Sequence, residues 1–172
     1  MTNFTIRAIN LNDLKALQSI SKQTFTETFA SSNTKENMDK YLEEALSLEK
    51  LTEELSNPNS FFYFIEDNHN PIGYLKLNMG ASQTELNDNS ALEIERIYVT
   101  QAYQGKKVGQ QLYEKAIQVA KEKGVEYIWL GVWEENHKAI QFYTKNGFTP
   151  FDKHIFILGD ESQTDIMMKL PI

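Results

Sequence analysis

The sequence predicts an α+β (mixed α/β) fold in which one twisted sheet is covered by helices on both faces. Three observations carry that expectation. Seven short runs read as strands, by alternation or by β-branched and aromatic content, and four longer ones carry a helical period. Strand-like runs adjoin each other early and late, which favours hairpins, whereas in the middle they alternate with helices, which favours crossovers. Finally, 172 residues with 41% hydrophobic content suffice for one core, so a single domain over 1–172 is expected.

The elements follow in order. Residues 4–9, FTIRAI, alternate as a strand. In 12–29, Leu14, Leu17, Ile20 and Phe25 recur near a helical period, with Asn12 or Asp13 placed to cap the helix. After the polar break ASSNT, Thr34 is the cap expected for a second helix, whose apolar stripe is Met38, Tyr41, Leu42, Ala45 and Leu46. A short third helix, LEKLTEELS, stops before Pro58. Residues 61–80 read as a hairpin around the turn signal DNHNP, and ASQTELNDNS as a polar loop. ALEIERIYV (91–99) is a strand, QLYEKAIQVAKEKG a helix closed at Gly124, and VEYIWLGV (125–132) a buried strand. The helix NHKAIQFYTKNG (136–147) and two further strands, FTPFDKHIFILG and TDIMMKL, complete the chain.

Composition excludes several chemistries. There is no cysteine, hence no disulfide framework, no thiolate zinc site and no cysteine nucleophile. Net charge is −7 and no basic stripe is present, so nucleic acid is not an expected partner. An acidic surface attracts a cationic small molecule, although it also serves solubility alone. No apolar run is long enough to span a bilayer, and MTNFTIRAINLND lacks the pattern of a signal peptide; a cytoplasmic location without membrane association is expected. His69, His137 and His154 show no metal-ligand spacing, so no metal is expected.

Residues 103–112, YQGKKVGQQL, form a glycine-containing turn between a strand and a helix, an arrangement that presents free amides to an anion. It fails the Walker A pattern, because Gly105 and Gly109 are too close and Gln110-Gln111 replaces Lys-Ser. It also fails the dinucleotide glycine spacing. By itself the segment is either an anion cradle or a plain turn. The second motif, NHKAIQFYTKNGF at 136–148, separates them. Together with ERIYVTQAYQGKKVGQQL it resembles the GNAT superfamily of N-acetyltransferases, with their Q/R-x-x-G-x-G/A loop and later N-x-x-A-x-x-F-Y-x-x-x-G-F helix. The stretches LEIERIYV, IWLGVWEEN, GDESQTDIMM, TFTETF and ENMDKYLEEA look most like the bacterial Pai-type spermidine/spermine acetyltransferases within it, described as protease-synthase and sporulation regulators.

The resemblance implies the acyl-CoA N-acyltransferase fold, a twisted mixed sheet of about six to seven strands flanked by helices. It implies acetyl-CoA (coenzyme A) as cosubstrate and a small amine acceptor, a polyamine such as spermidine or spermine, with a monomer and a homodimer both compatible. Gln104, Gly105, Lys106, Lys107, Val108, Gly109 and Gln110 match the pyrophosphate loop, and Ile97, Tyr98 and Val99 the strand that holds the pantetheine arm. Asn136, Ala139, Tyr143 and Lys145 match the cofactor-facing helix, after a splayed strand near 129–133. Tyr143 matches the general acid, Glu95 the base and Glu93 its helper, while Glu27, Glu93, Glu95 and Trp133 are implied for the acceptor wall, with Glu43 and Glu44 as further acidic candidates.

One departure stands out: Lys107 occupies the place of the loop's middle glycine. A positive φ there would cost roughly 1 kcal/mol relative to glycine, so a first-turn helical conformation is expected. Strict alternation along 91–99 puts Glu93, Glu95, Ile97 and Val99 on one face and Ile94, Arg96 and Tyr98 on the other. Either glutamate alone reads equally as a salt-bridge partner of Arg96.

Without a cysteine relay, direct attack by the amine in a ternary complex is expected. An alkylammonium near pKa 10.4 costs roughly 4 kcal/mol to deprotonate near neutral pH, so a proton acceptor is needed. Two alternatives share these residues: a coenzyme A-binding regulatory or sensor protein with little catalysis, and an acetyltransferase acting on an amino acid, antibiotic or protein N-terminus.

Overall fold

The computed structural model describes residues 3–172; Met1 and Thr2, which open the N-terminal stretch read above, lie outside the described residues. The elements are β1 (Thr5–Ala8), α1 (Leu14–Phe29), α2 (Lys35–Glu44), α3 (Leu48–Ser56), β2 (Ser60–Asp67), β3 (Asn70–Met79), β4 (Ala91–Val99), α4 (Val108–Lys123), β5 (Tyr127–Trp133), α5 (His137–Lys145), β6 (Thr149–Leu158) and β7 (Glu161–Pro171). This is the predicted order, with short 3₁₀ turns added at the joints.

The caps explain most boundaries. Thr34 Oγ1 accepts from the Asn37 amide and Ser47 Oγ from the Lys50 amide, which starts α2 and α3. Gly124, at φ 69°, ends α4 in the left-handed conformation that a β-carbon penalises. The β2–β3 turn has Asn68 at φ 49° and His69 at φ 68°, the two positive values of a type I′ hairpin. The start of α1 differs from expectation. Asn10 caps a preceding 3₁₀ turn through the Asn12 amide, and Asp13 Oδ2 accepts from the Asn10 amide at 3.0 Å and binds Arg7 at 2.9 Å, while giving α1 itself no side-chain cap. In α2 the helix stops at Glu44, so Ala45 is its C-cap and Leu46 packs from beyond the helix end.

All seven strands form one sheet in the order β1-β2-β3-β4-β5-β7-β6, and only the β4–β5 pair is parallel. That pair needs a crossover, which α4 supplies. Val108, Leu112, Ala116, Val119 and Ala120 of α4 pack on one face with Leu75, Leu77, Ile94 and Ile128, joined by Tyr143 of α5. Leu17, Ile20 and Phe25 of α1, with Met38 and Leu51, pack on the other face against Phe62, Phe64 and Tyr74. Among the described residues no helix is long and apolar enough to cross a membrane.

Candidate active site

The sheet forks in its middle. Pairing of β4 with β5 ends at Ile94↔Leu130, yet β5 continues against β7 to Trp133, and β4 continues against β3 to Val99. The backbone of Glu95–Val99 on the β5 side, and of Gly131–Trp133 on the β4 side, is thereby released from the sheet. The fork opens a cleft of about 1280 Å³ that reaches from the start of α4 to α1 and the β6–β7 hairpin. This is the splay expected near 129–133.

A β-bulge sets the chemistry along β4. Lys76 opposes Arg96 and Leu77 opposes Ile94, so Glu95 is the extra residue with no partner on β3. Strict alternation fails at that residue. Ile97 and Val99 pack into the α4-side core and Tyr98 into the α1-side core, whereas Glu93 and Glu95 both hydrogen-bond Asn78. The expectation that Glu93, Glu95, Ile97 and Val99 share one face is therefore corrected, because the inserted residue shifts the phase by one.

The two glutamates have different surroundings. Glu95 joins a buried quartet: Lys76 Nζ is 2.7 Å from its Oε1 and also binds Glu54, while Arg96 Nη2 lies 2.9 Å from Glu54 and 3.2 Å from Glu95 Oε2. Two carboxylates thus meet two cations. Burial raises the Glu95 carboxyl, but Arg96 and Lys76 outweigh it and hold the group below the usual range. Glu93 is 3% exposed and receives only neutral donors, from the Asn78 amide, the Thr84 backbone amide and the Thr84 hydroxyl. Burial pushes its carboxyl up, against those hydrogen bonds and with a further push from Glu95.

The polar loop before β4 positions Glu93. Gln83 accepts from Trp129 Nε1 at 2.7 Å and donates to the Gly80 and Asp88 carbonyls, which pins Thr84 and Glu85 at the cleft. None of this was legible as function in ASQTELNDNS, whose composition says only that it is a loop.

At the opposite end, Gly105 and Lys107 have φ of 81° and 62°. Lys107 is the N-cap of α4 in the left-handed conformation, not in the first helical turn. It departs from expectation because the chain must reverse sharply between the 3₁₀ turn at Gln101–Tyr103 and α4. The strain is on the order of 1 kcal/mol, so Lys107→Gly is expected to raise unfolding stability by up to about that amount in urea titration, less the entropy glycine restores to the unfolded chain. No side chain caps α4. The amides of its first turn therefore face the cleft without an intrahelical partner.

Of the cofactor residues inferred from the motifs, Ile97, Tyr98, Val99, Gln104, Gly105, Lys107, Val108, Gly109, Gln110, Asn136, Ala139, Tyr143 and Lys145 line this one cleft. Lys106 does not; its ammonium sits 5.0 Å from the centre of the Tyr103 ring. Gln104 Nε2 donates to the Val99 carbonyl, and Asn136 Oδ1 accepts from the Ala139 amide as an N-cap. Tyr143 is held by Phe142 and Phe148 at ring separations of 5.4 and 5.6 Å, and burial pushes its phenol well above the usual range.

On the acceptor side, Glu93, Glu95 and Trp133 line the cleft, and Trp133 lies 6.0 Å from Phe29. Glu27 also borders it, but its Oε1 accepts from the Gln101 amide at 3.0 Å, so it ties α1 to the β4–α4 connection. Glu43 and Glu44 do not line the cleft. Sequence reasoning missed Phe25 and Tyr41, stacked at 4.1 Å, and also His154 and Asp165 from the hairpin. Their only signal was periodicity, which marks them as core or surface.

Comparison with known proteins follows the same geometry. The pattern described as "Acetyltransferase (GNAT) family" matches residues 15–148, most of the chain. The chain belongs to the GNAT acetyltransferase family. Within this family it is 41% identical over 169 residues to an uncharacterized N-acetyltransferase of Lactobacillus delbrueckii subsp. lactis, covering 98% of each protein. It is 29% identical over 147 residues to the spermidine N(1)-acetyltransferase of Thermoplasma acidophilum, covering 83% of this chain and 86% of that protein. The crystal structure of the PaiA N-acetyltransferase from Thermoplasma acidophilum, in complex with coenzyme A, superposes with a TM-score of 0.82 at 26% identity, covering 99% of both chains. The GNAT fold expected from the sequence is thus the fold observed.

Proposed function

We propose that this GNAT acetyltransferase moves the acetyl group of acetyl-CoA to a primary amine of a small polycation of the spermidine class, by direct attack in a ternary complex. The observation that carries the reading is the uncapped start of α4 opening onto the same fork that holds Tyr143 and the cation-free Glu93. The likeness to a spermidine acetyltransferase and to a coenzyme A complex supports it.

The residues present fit coenzyme A. An anionic diphosphate matches the free amides of Val108, Gly109 and Gln110 at the positive end of the α4 dipole. An extended amide-bearing arm matches the released edge of β4 at Ile97–Val99. When bound, acetyl-CoA supplies an activated acyl group. Tyr143 keeps its proton at neutral pH, since burial opposes ionisation, and donates it to the departing sulfur as charge develops there. Glu93 is a buried carboxylate in the fork with no cation beside it, so it receives the acceptor ammonium and accepts its proton. Glu95 acts through the quartet instead: it fixes the bulge that aims β4 into the fork.

Release of free thiol from acetyl-CoA over spermidine, spermine, simple monoamines and amino acids tests the proposal. The expected result is turnover with kcat/KM highest for the polyamines. Stabilisation by coenzyme A without turnover on any amine would instead indicate a sensor. Preference for amino acids would leave the acetyltransferase and remove the polyamine.

A further inference from the structure

His154 stands outside the roles assigned so far, on the cleft wall made by β6. Its Nδ1 lies 3.4 Å from the Ile155 carbonyl and 3.5 Å from Glu85 Oε1, and both of those are acceptors. A neutral imidazole carries its proton on one ring nitrogen and keeps the other basic, and here both nitrogens face acceptors. Nε2 lies over β5 where Gly131 has no side chain; a β-carbon there would stand 3.2 Å from it. Asp165 Oδ2 is 3.6 Å from Nε2. Whichever nitrogen is unprotonated in the neutral ring thus presents its lone pair beside a carboxylate, with the ring oriented between two anions.

Glu93 needs such a partner. It is almost wholly buried, and a carboxyl that has accepted a proton must lose it before the next turnover. Glu93 and Gly131 lie on the same sheet face, two residues apart in β-register through Trp129. The His154 side chain is 20% exposed, so it touches both the cleft and solvent. Among the described residues, no group of three His, Asp or Glu is arranged to hold a metal ion, and these residues are not read as a metal site.

We propose that His154, oriented by Glu85 and Asp165 over the gap at Gly131, is the relay that carries the acceptor's proton from Glu93 to solvent. The inference rests on the acetyltransferase reading above. The proton balance is simple. The acceptor nitrogen gives up two protons as the C–N bond forms and the C–S bond breaks. One restores Tyr143 after it has protonated the sulfur; the other passes through Glu93 and, by way of water, to His154 and then to bulk water. His154 must be neutral to accept. The charged groups facing the imidazole are Glu85 from the β3–β4 loop and Asp165 from β7; Glu93 of β4 lies deeper on the same face, and β5 presents only Gly131.

The test measures kcat and KM against pH for wild type, His154→Ala, Asp165→Asn and Glu85→Gln, with folding checked by circular dichroism. His154→Ala is expected to lower kcat about 10-fold or more, to leave KM for acetyl-CoA within about twofold, and to recover partly with added imidazole. Asp165→Asn and Glu85→Gln are expected to lower kcat less than His154→Ala does, because each removes one of the two carboxylates that orient the ring. Wild-type turnover with an unchanged kcat and profile in His154→Ala would overturn the relay while leaving the acetyltransferase. Equal loss in His154→Ala without rescue by imidazole would also overturn it, in favour of a structural role. Absence of wild-type turnover on every amine would overturn both.

Discussion

Tyr143→Phe is expected to reduce kcat by 10²-fold or more while coenzyme A affinity changes less than about twofold, since general-acid catalysis commonly contributes 10² to 10⁴. The substitution removes one oxygen and keeps the ring that Phe142 and Phe148 pack against, so the wall of the cleft persists. Burial keeps the phenol protonated throughout the neutral range, and the loss should therefore be the same at pH 7 and pH 9. Parallel loss of turnover and coenzyme A binding would show instead that the hydroxyl serves packing or ligand affinity. Single-turnover kinetics beside calorimetric titration of coenzyme A distinguishes the outcomes.

The second large effect separates Glu93 from Glu95. Glu93→Gln is expected to lower kcat/KM for the amine about 10²-fold, yet to leave the protein as stable at neutral pH or more so. The glutamine can still accept from the Thr84 and Asn78 amides through its oxygen and donate to the Thr84 hydroxyl. The sign of the stability change follows from titration. A carboxyl raised above its unfolded value of 4.5 favours folding below that pH, and the benefit is lost as pH rises through the folded value. At pH 7.5 the wild type bears that loss and the glutamine does not.

Glu95→Gln should do the opposite. It leaves Lys76 and Arg96 sharing Glu54 alone, and breaking a buried charge network costs about 3 kcal/mol. Glu95 is lowered in the folded state, so its stabilisation is present above 4.5 and lost as pH falls through the folded value. The difference in denaturation midpoint between wild type and Glu95→Gln should therefore be full at pH 7.5 and shrink as pH falls below 4.5. Equal stability of the two at pH 7.5 would remove Glu95 from the structural role.

How these residues read in the sequence shows where local pattern suffices. Thr34, Gly124 and Asn136 were legible as caps because capping depends on one residue and its next three neighbours. The cleft-facing loop and the Tyr143 helix were legible because their glycine, asparagine and aromatic spacings recur across a family. The bulge at Glu95 was not, because alternation describes one strand, whereas a bulge is a mismatch between two. The quartet was hidden for the same reason: Glu54 comes from α3 and Lys76 from β3, and only the sheet brings them to β4. Glu27 read as an acceptor-wall acid, but tertiary contact gave its carboxylate to the Gln101 amide. Lys107 read as helical because a positive φ strains a lysine, and the geometry of the preceding turn overrode that preference. His154 carried no signal beyond its residue type, since its partners lie on the β3–β4 loop and on β7, and the gap it covers lies on β5.

The account stands most directly on the fate of the acetyl group. Mass spectrometry after incubation with acetyl-CoA carrying an isotopically labelled acetyl, with spermidine present, should find the label on a primary amine of spermidine, free coenzyme A in equal amount, and no labelled protein. Label retained on the protein, or thiol released with no acetylated amine, would contradict direct transfer across the fork between β4 and β5.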